Sequence, residues 1–207
     1  GRAFWILDDL TPLHQYASNI EKTSVHLFEP RMAYRTTSGS NKSTIMGQNP
    51  PSGAVILYHL SELVEKDAQL KLEVLSKDGD VIRTITNKSG TSAKVFDGSY
   101  IPQIIPAKKG VNRFIWNFRI DDLTKVPDVS FYGGYSGYRI GPGDYTIQLT
   151  LGDKIVSQSL EIKSDPRVDI RDRDTEAHQQ LMADLYGQIN DLHASIVKAR
   201  SIRDQIM

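Results

Sequence analysis

Cysteine is absent from the 207 residues, which excludes disulfides, thiolate metal ligands and thiol nucleophiles together. Neither sign of charge is in excess. Lys+Arg number 25 and Asp+Glu number 25, so no electrostatic footprint draws the chain to phosphate backbones or anionic lipid, and nucleic acid is not an expected partner. No apolar run approaches the roughly 20 residues of a bilayer span, and no membrane span is expected. A basic and then apolar leader is also missing from the start. Gly-x-Ser-x-Gly, the Gly-Lys-Ser/Thr of a phosphate loop and the His-Glu-x-x-His pair do not occur, which leaves hydrolase, nucleotide and zinc-hydrolase chemistry without a motif. No catalytic residue, metal or cofactor is therefore assigned. With 39% hydrophobic and 24% charged residues, the chain can bury the core of one globular domain with an appendage, or of two small ones.

What is present begins with a strand. Gly1-Arg2-Ala3-Phe4-Trp5-Ile6-Leu7-Asp8-Asp9-Leu10 reads as a buried β-strand entering an acidic turn, and its backbone groups need partners. The expectation is that the partner lies elsewhere and that the chain is a piece of a larger protein. Residues 9–48 are polar and irregular, most loop-like at Ser38-Gly39-Ser40-Asn41-Lys42-Ser43, and Asn49-Pro50-Pro51-Ser52-Gly53 is a hard stop. This reads as a connector, with Leu27-Phe28 before Pro30 as an anchor.

From Ala54 the pattern is β. Ala54, Ile56 and Tyr58 alternate with Val55, Leu57 and His59, a run apolar on both faces that predicts burial on both. Leu70, Leu72 and Val74 alternate with charged residues, and Asp78-Gly79 precedes Val81-Ile82-Arg83-Thr84-Ile85; Asp-Gly supplies the positive φ of a tight turn, so a hairpin is predicted. Phe114, Trp116 and Phe118 fall at every second place and predict a central core strand. Tyr145, Ile147, Leu149 and Leu151 alternate with polar residues, turn at Gly152-Asp153 and return as residues 155–162. Short strands with turns between them and no intervening helix predict an antiparallel sandwich.

After Asp165-Pro166-Arg167 the period changes. Leu181, Leu185, Ile189, Leu192, Ile196 and Ala199 are spaced by three and four, one apolar stripe of a helix. Asp172, Asp174, Thr175 and Glu176 supply its start, and Lys198, Arg200 and Arg203 complement the dipole near its end. At about 1.5 Å per residue the helix is roughly 45 Å long, longer than a small sandwich is wide. Part of the stripe is thus expected to meet something else, with a second copy of the chain as one candidate.

His14, His26 and His59 sit in unrelated segments, and His178 and His193 would lie about 22 Å apart along the helix, too far to share an ion. Asp8-Asp9 and Asp121-Asp122 resemble paired catalytic carboxylates, but adjacent strand residues point to opposite faces and both pairs precede Leu-Thr, so turn capping is the simpler reading. The glycine-rich run from Gly133 to Gly143 precedes a strand, whereas a phosphate loop follows one. Phe131, Tyr132, Tyr135 and Tyr138 either form a platform for a glycan or peptide or fold back onto the protein. Asn41-Lys42-Ser43 and Asn87-Lys88-Ser89 match the glycosylation sequon.

Three segments in order carry a resemblance. Residues 1–13 resemble the last strand and exit of the β-propeller in bacterial BNR-repeat, sortilin-like glycosyl-hydrolase-type proteins. Gly47-Gln48-Asn49-Pro50-Pro51-Ser52-Gly53-Ala54 resembles the lead-in to the domain after that propeller. Gly141-Pro142-Gly143-Asp144-Tyr145-Thr146, closed by Asp165-Pro166-Arg167, resembles that domain's last two strands and exit. Residues 110–119 are similar to the immunoglobulin-like domain of flagellar hook-capping proteins. The resemblance implies a propeller-exit strand and connector over 1–50, an immunoglobulin-like sandwich over 51–167 and a helix over 168–207. It further implies an exported bacterial protein, periplasmic, cell-surface or secreted. No Ser-x-Asp-x-Gly-x-Thr-Trp box occurs in the chain, so no catalytic residue carries over, and the glycosidase label is itself a fold-level analogy. The function so implied is that of a non-catalytic accessory module packing on a propeller, with Phe4, Trp5, Leu185, Ile189, Leu192 and Ile196 as interface candidates. The alternatives are a carbohydrate-binding module built on Phe131, Tyr132, Tyr135 and Tyr138, and an independent glycosidase using Asp121 or Asp122.

Overall fold

The computed structural model describes residues 9–16, 20–36, 50–65, 67–88, 93–95, 98–100, 102–129, 131–169 and 172–206. The expected opening strand, with Phe4 and Trp5, and the sequon at Asn41 lie outside them. Within them the protein is mainly β, with two sheets and one long C-terminal helix.

One sheet has the order β1 (Val25–Leu27), β3 (Ala54–Leu60), β8 (Gly110–Trp116). The other has the order β2 (Ala33–Arg35), β10 (Lys154–Ser164), β9 (Gly143–Leu151), β4 (Leu70–Leu75), β5 (Val81–Thr86). A separate ribbon pairs β6 (Ala93–Val95) with β7 (Gly98–Tyr100). Both predicted hairpins form. Gly79 takes φ 91° between β4 and β5, and Gly152 takes φ 58° between β9 and β10, conformations that cost glycine no Cβ clash. The inner faces of both sheets belong to one buried cluster, a sandwich-like arrangement in which Leu27, Ile56, Tyr58, Leu72, Trp116 and Ile147 are all at most 1% exposed. Trp116 meets the rings of Phe118 at 5.7 Å and Tyr145 at 6.3 Å, both edge-on.

Three expectations change. The 9–48 connector is not merely a wrap: β1 pairs antiparallel with β3, and β2 pairs with β10. The β2 pairing is parallel, so the sandwich is not wholly antiparallel. The strand carrying Phe114 and Trp116 is an edge strand, and β3 is the central one. The two-sided burial of β3 holds only in part: on its outer face Val55 and Leu57 are half-buried, and the segment before β1 covers His59. His59 is 7% exposed there, with the ring of Tyr16 6.4 Å away.

The short helix α1 (Thr11–Gln15) is started by Asp9, whose Oδ1 accepts the Thr11 N–H at 2.9 Å. Burial alone would raise the Asp9 pKa, but the bonds from Thr11 and the Arg31 cation outweigh it and hold the carboxyl below its usual range. Helix α2 (Asp172–Ile206) has 35 residues, about 52 Å at 1.5 Å per residue. Among the described residues no helix is long and apolar enough to cross a membrane.

Candidate functional site

Asp121, Asp122, the four loop aromatics and His193 converge on the irregular segment between β8 and β9 and on the helix that lies over it. The segment is two limbs that pair with each other: Ile120 N–H donates to Tyr138 O (3.1 Å), Leu123 N–H to Tyr135 O (2.7 Å) and Ile140 N–H to Phe118 O (2.8 Å). Gly137 lets the limbs touch. A Cβ there would stand 2.2 Å from Asp121 O and 2.6 Å from Ile120 Cγ1.

The first limb runs beside the edge of β5. Asp121 N–H donates to Ile82 O (2.9 Å), and Asp121 Oδ1 accepts the Thr84 N–H (2.9 Å). Arg83, 5% exposed, donates from one Nη1 to Ile120 O and to Asp122 Oδ1, each at 2.9 Å. The Asp121-Asp122 pair therefore seals an open strand edge and neutralises a buried guanidinium. The second limb carries Arg139, which stacks 5.6 Å from the Phe118 ring centroid, while Arg119 donates to Gly137 O at 2.6 Å.

Irregular limbs leave backbone groups without ladder partners, and such groups must be satisfied if buried. Helix α2 supplies the partners. Asn190 Oδ1 accepts the Thr124 N–H (2.7 Å), and His193 Nδ1 lies 2.7 Å from Thr124 O. Tyr186 donates to Asp122 O (3.3 Å), Gln179 to Arg139 O (3.4 Å) and Arg200 to Pro127 O (2.6 Å). These residues, 179, 186, 190, 193 and 200, are spaced by seven, four, three and seven, a helical face in its own right.

That face is rotated from the predicted stripe by one residue, about 100°. Leu181, Leu185 and Leu192 are 56%, 42% and 58% exposed, and Ile189 and Ile196 are half-buried at the border between the two faces. The sequence signal for the docking face is Tyr186, Asn190, His193 and Arg200, each one place after a residue of the apolar stripe.

The four loop aromatics are not a common platform. Tyr135 is 0% exposed; Phe131 packs on it at 5.6 Å and on His193 at 5.1 Å; Tyr138 meets Tyr186 at 5.9 Å. Burial, with Tyr186 beside it, raises the Tyr138 pKa. Tyr132 alone of the four is exposed, at 85%. The Asn87 side chain is engaged structurally, accepting the Leu70 N–H at 2.9 Å and donating to Ala68 O at 3.3 Å.

His26 and His59 face each other across β1 and β3. His26 Nε2 and His59 Nδ1 are buried without hydrogen-bond partners, and burial, then the neighbouring His59, lowers the His26 pKa. Among the described residues no three His, Cys, Asp or Glu side chains gather as a metal site. A groove of about 460 Å³ beside the end of α2 is open and mixes Asp128 and Asp204 with Arg200 and Arg203. No protein family, curated protein or solved structure was found to match the chain.

Proposed function

We propose that this chain is a non-catalytic accessory module, an immunoglobulin-like sandwich with a C-terminal helix, belonging to a larger exported β-propeller protein. Its work is contact: it packs on the propeller and mediates association. The immunoglobulin-like reading is supported by two sheets closing on one core around a fully buried tryptophan. The order of the propeller-exit, lead-in and closing-hairpin segments along the sequence supports the parentage.

The observation that carries the contact role is the state of α2. One face is spent on the protein's own loop, and another, with Leu181, Leu185 and Leu192, is apolar and exposed, as interaction surfaces are. The residues that a glycosidase would need are otherwise employed, since Asp121 and Asp122 hold Thr84 and Arg83. A glycan platform would rest on Tyr132, the other three rings being packed inward.

The reading is tested by the parent coding sequence upstream of Gly1 and by assay of the chain itself. Repeated Asp-boxes at blade spacing and no turnover of aryl glycosides are expected. An upstream region without propeller periodicity would remove the parentage, and hydrolysis abolished by Asp121→Asn or Asp122→Asn would replace the accessory role by an enzymatic one. Glycan binding lost in Tyr132→Ala would transfer the role to sugar recognition.

A further inference from the structure

The exposed stripe of α2 is patterned to recognise itself. Leu181, Leu185, Leu192, Ile202 and Ile206 are between 42% and 80% exposed and recur at three- and four-residue steps or their sums, the seam of a helix pair. Asp191 and Lys198 flank this seam seven positions apart, about 10 Å along the axis, so they cannot pair with each other on one helix. The positions three and four away from Asp191 are Gly187, Gln188, Ala194 and Ser195, and those around Lys198 are Ala194, Ser195, Ser201 and Ile202. Neither charge has an opposite neighbour on its own helix, and no ion pair to either forms among the described residues.

We infer that the chain pairs with a second copy of itself through this stripe, the two α2 helices running antiparallel. One register matches the apolar ends of the stripe and both charges, with Gln188 falling opposite Ala199 nearer its middle. It sets Leu181 opposite Ile206 of the second copy, Leu185 opposite Ile202 and Leu192 opposite Ser195, each contact repeated by the two-fold axis. The same register places Asp191 against Lys198 of the other helix on one flank, twice, and half-buried Ile189 against Ile196 on the other flank, twice. A parallel pair fails this test. It sets Lys198 against Arg203 and Asp191 against apolar Ile196, and it aligns the helix dipoles side by side. The sandwich does not obstruct the pairing, because it is held by the face of Tyr186, Asn190 and His193, about a third of a turn away. The inference stands whether or not a propeller precedes the chain.

Sedimentation equilibrium of the full chain over a wide concentration range tests it. A monomer–dimer equilibrium is expected, weakened at least about tenfold by Asp191→Lys or by Lys198→Asp through like-charge contact, and restored in the double exchange. Leu185→Asp, on an exposed position that leaves the docking face intact, should abolish the dimer while circular dichroism stays unchanged. A chain monomeric throughout, or a dimer indifferent to both charge reversals and to Leu185→Asp, would overturn the inference. So would a monomer that binds phospholipid vesicles through Leu192, which would give the stripe a lipid occupant instead.

Discussion

Asp121 and Asp122 have the look of a catalytic pair in the sequence and the duty of a clamp in the fold. Arg83 is buried with a single strong carboxylate contact, Asp122 at 2.9 Å, while the Asp121 carboxylate is 3.8 Å away and half exposed. Removing the anion strands a buried cation, and removing the cation leaves the Asp122 carboxylate and the Ile120 carbonyl without their donor. Asp122→Ala and Arg83→Met should therefore each cost about 2–3 kcal/mol in urea unfolding; a loss under about 0.5 kcal/mol in either would contradict the clamp. Gly137→Ala forces a methyl into the opposing limb and should cost about 1–3 kcal/mol. His26 sets a pH dependence of definite sign. The folded pKa of His26 lies below its ordinary 6.5, so between that value and the lowered one the unfolded chain binds more protons, and stability falls as pH drops below 6.5. His26→Gln should flatten this slope. Asp165, held down to about 2 by the Arg167 guanidinium and N–H, acts lower: its contribution is complete above its ordinary 3.8 and is lost as pH falls from there toward 2. The two windows are separable in one titration of stability against pH.

At the scale of elements, strands and turns were legible and the facing of the helix was not. Alternation with period two and the Asp78-Gly79 and Gly152-Asp153 turns are local properties of the chain, and both hairpins form where they predict. The extent of α2 was legible for the same reason. Its docked face is the one whose side chains bond the backbone of the 118–140 limbs, with His193 buried among them. Asn190→Leu, which adds apolar surface, should accordingly destabilise by about 0.5–1.5 kcal/mol because Thr124 N–H loses its acceptor. Leu192→Gln, measured on the dilute monomer, should change stability by less than about 0.5 kcal/mol. The opposite order would restore the apolar stripe as the docked face.

At the scale of the molecule, the division expected at residue 50 meets a sandwich that recruits strands from before it. Val25, Leu27, Phe28 and Ala33 are all buried, and Gln158 of β10 donates to Leu27 O at 3.1 Å. A chain beginning at Pro51 should lose the cooperative thermal unfolding that the full chain shows. β1 and β2 escaped the sequence reading because three residues carry too little periodicity to be recognised; each exists only because another strand offers it an edge. By itself the sequence determined what is local: the hairpins, the existence of α2, and the exclusion of thiol chemistry. Only the tertiary structure decided which groups were left to be satisfied, and hence that Asp121 and Asp122 clamp an arginine, that Tyr135 and His193 are sealed together, and that the leucines of α2 remain outside. Burial is settled by the partner, since a polar group with a hydrogen bond waiting can take an interior place ahead of an apolar one with nothing to fill.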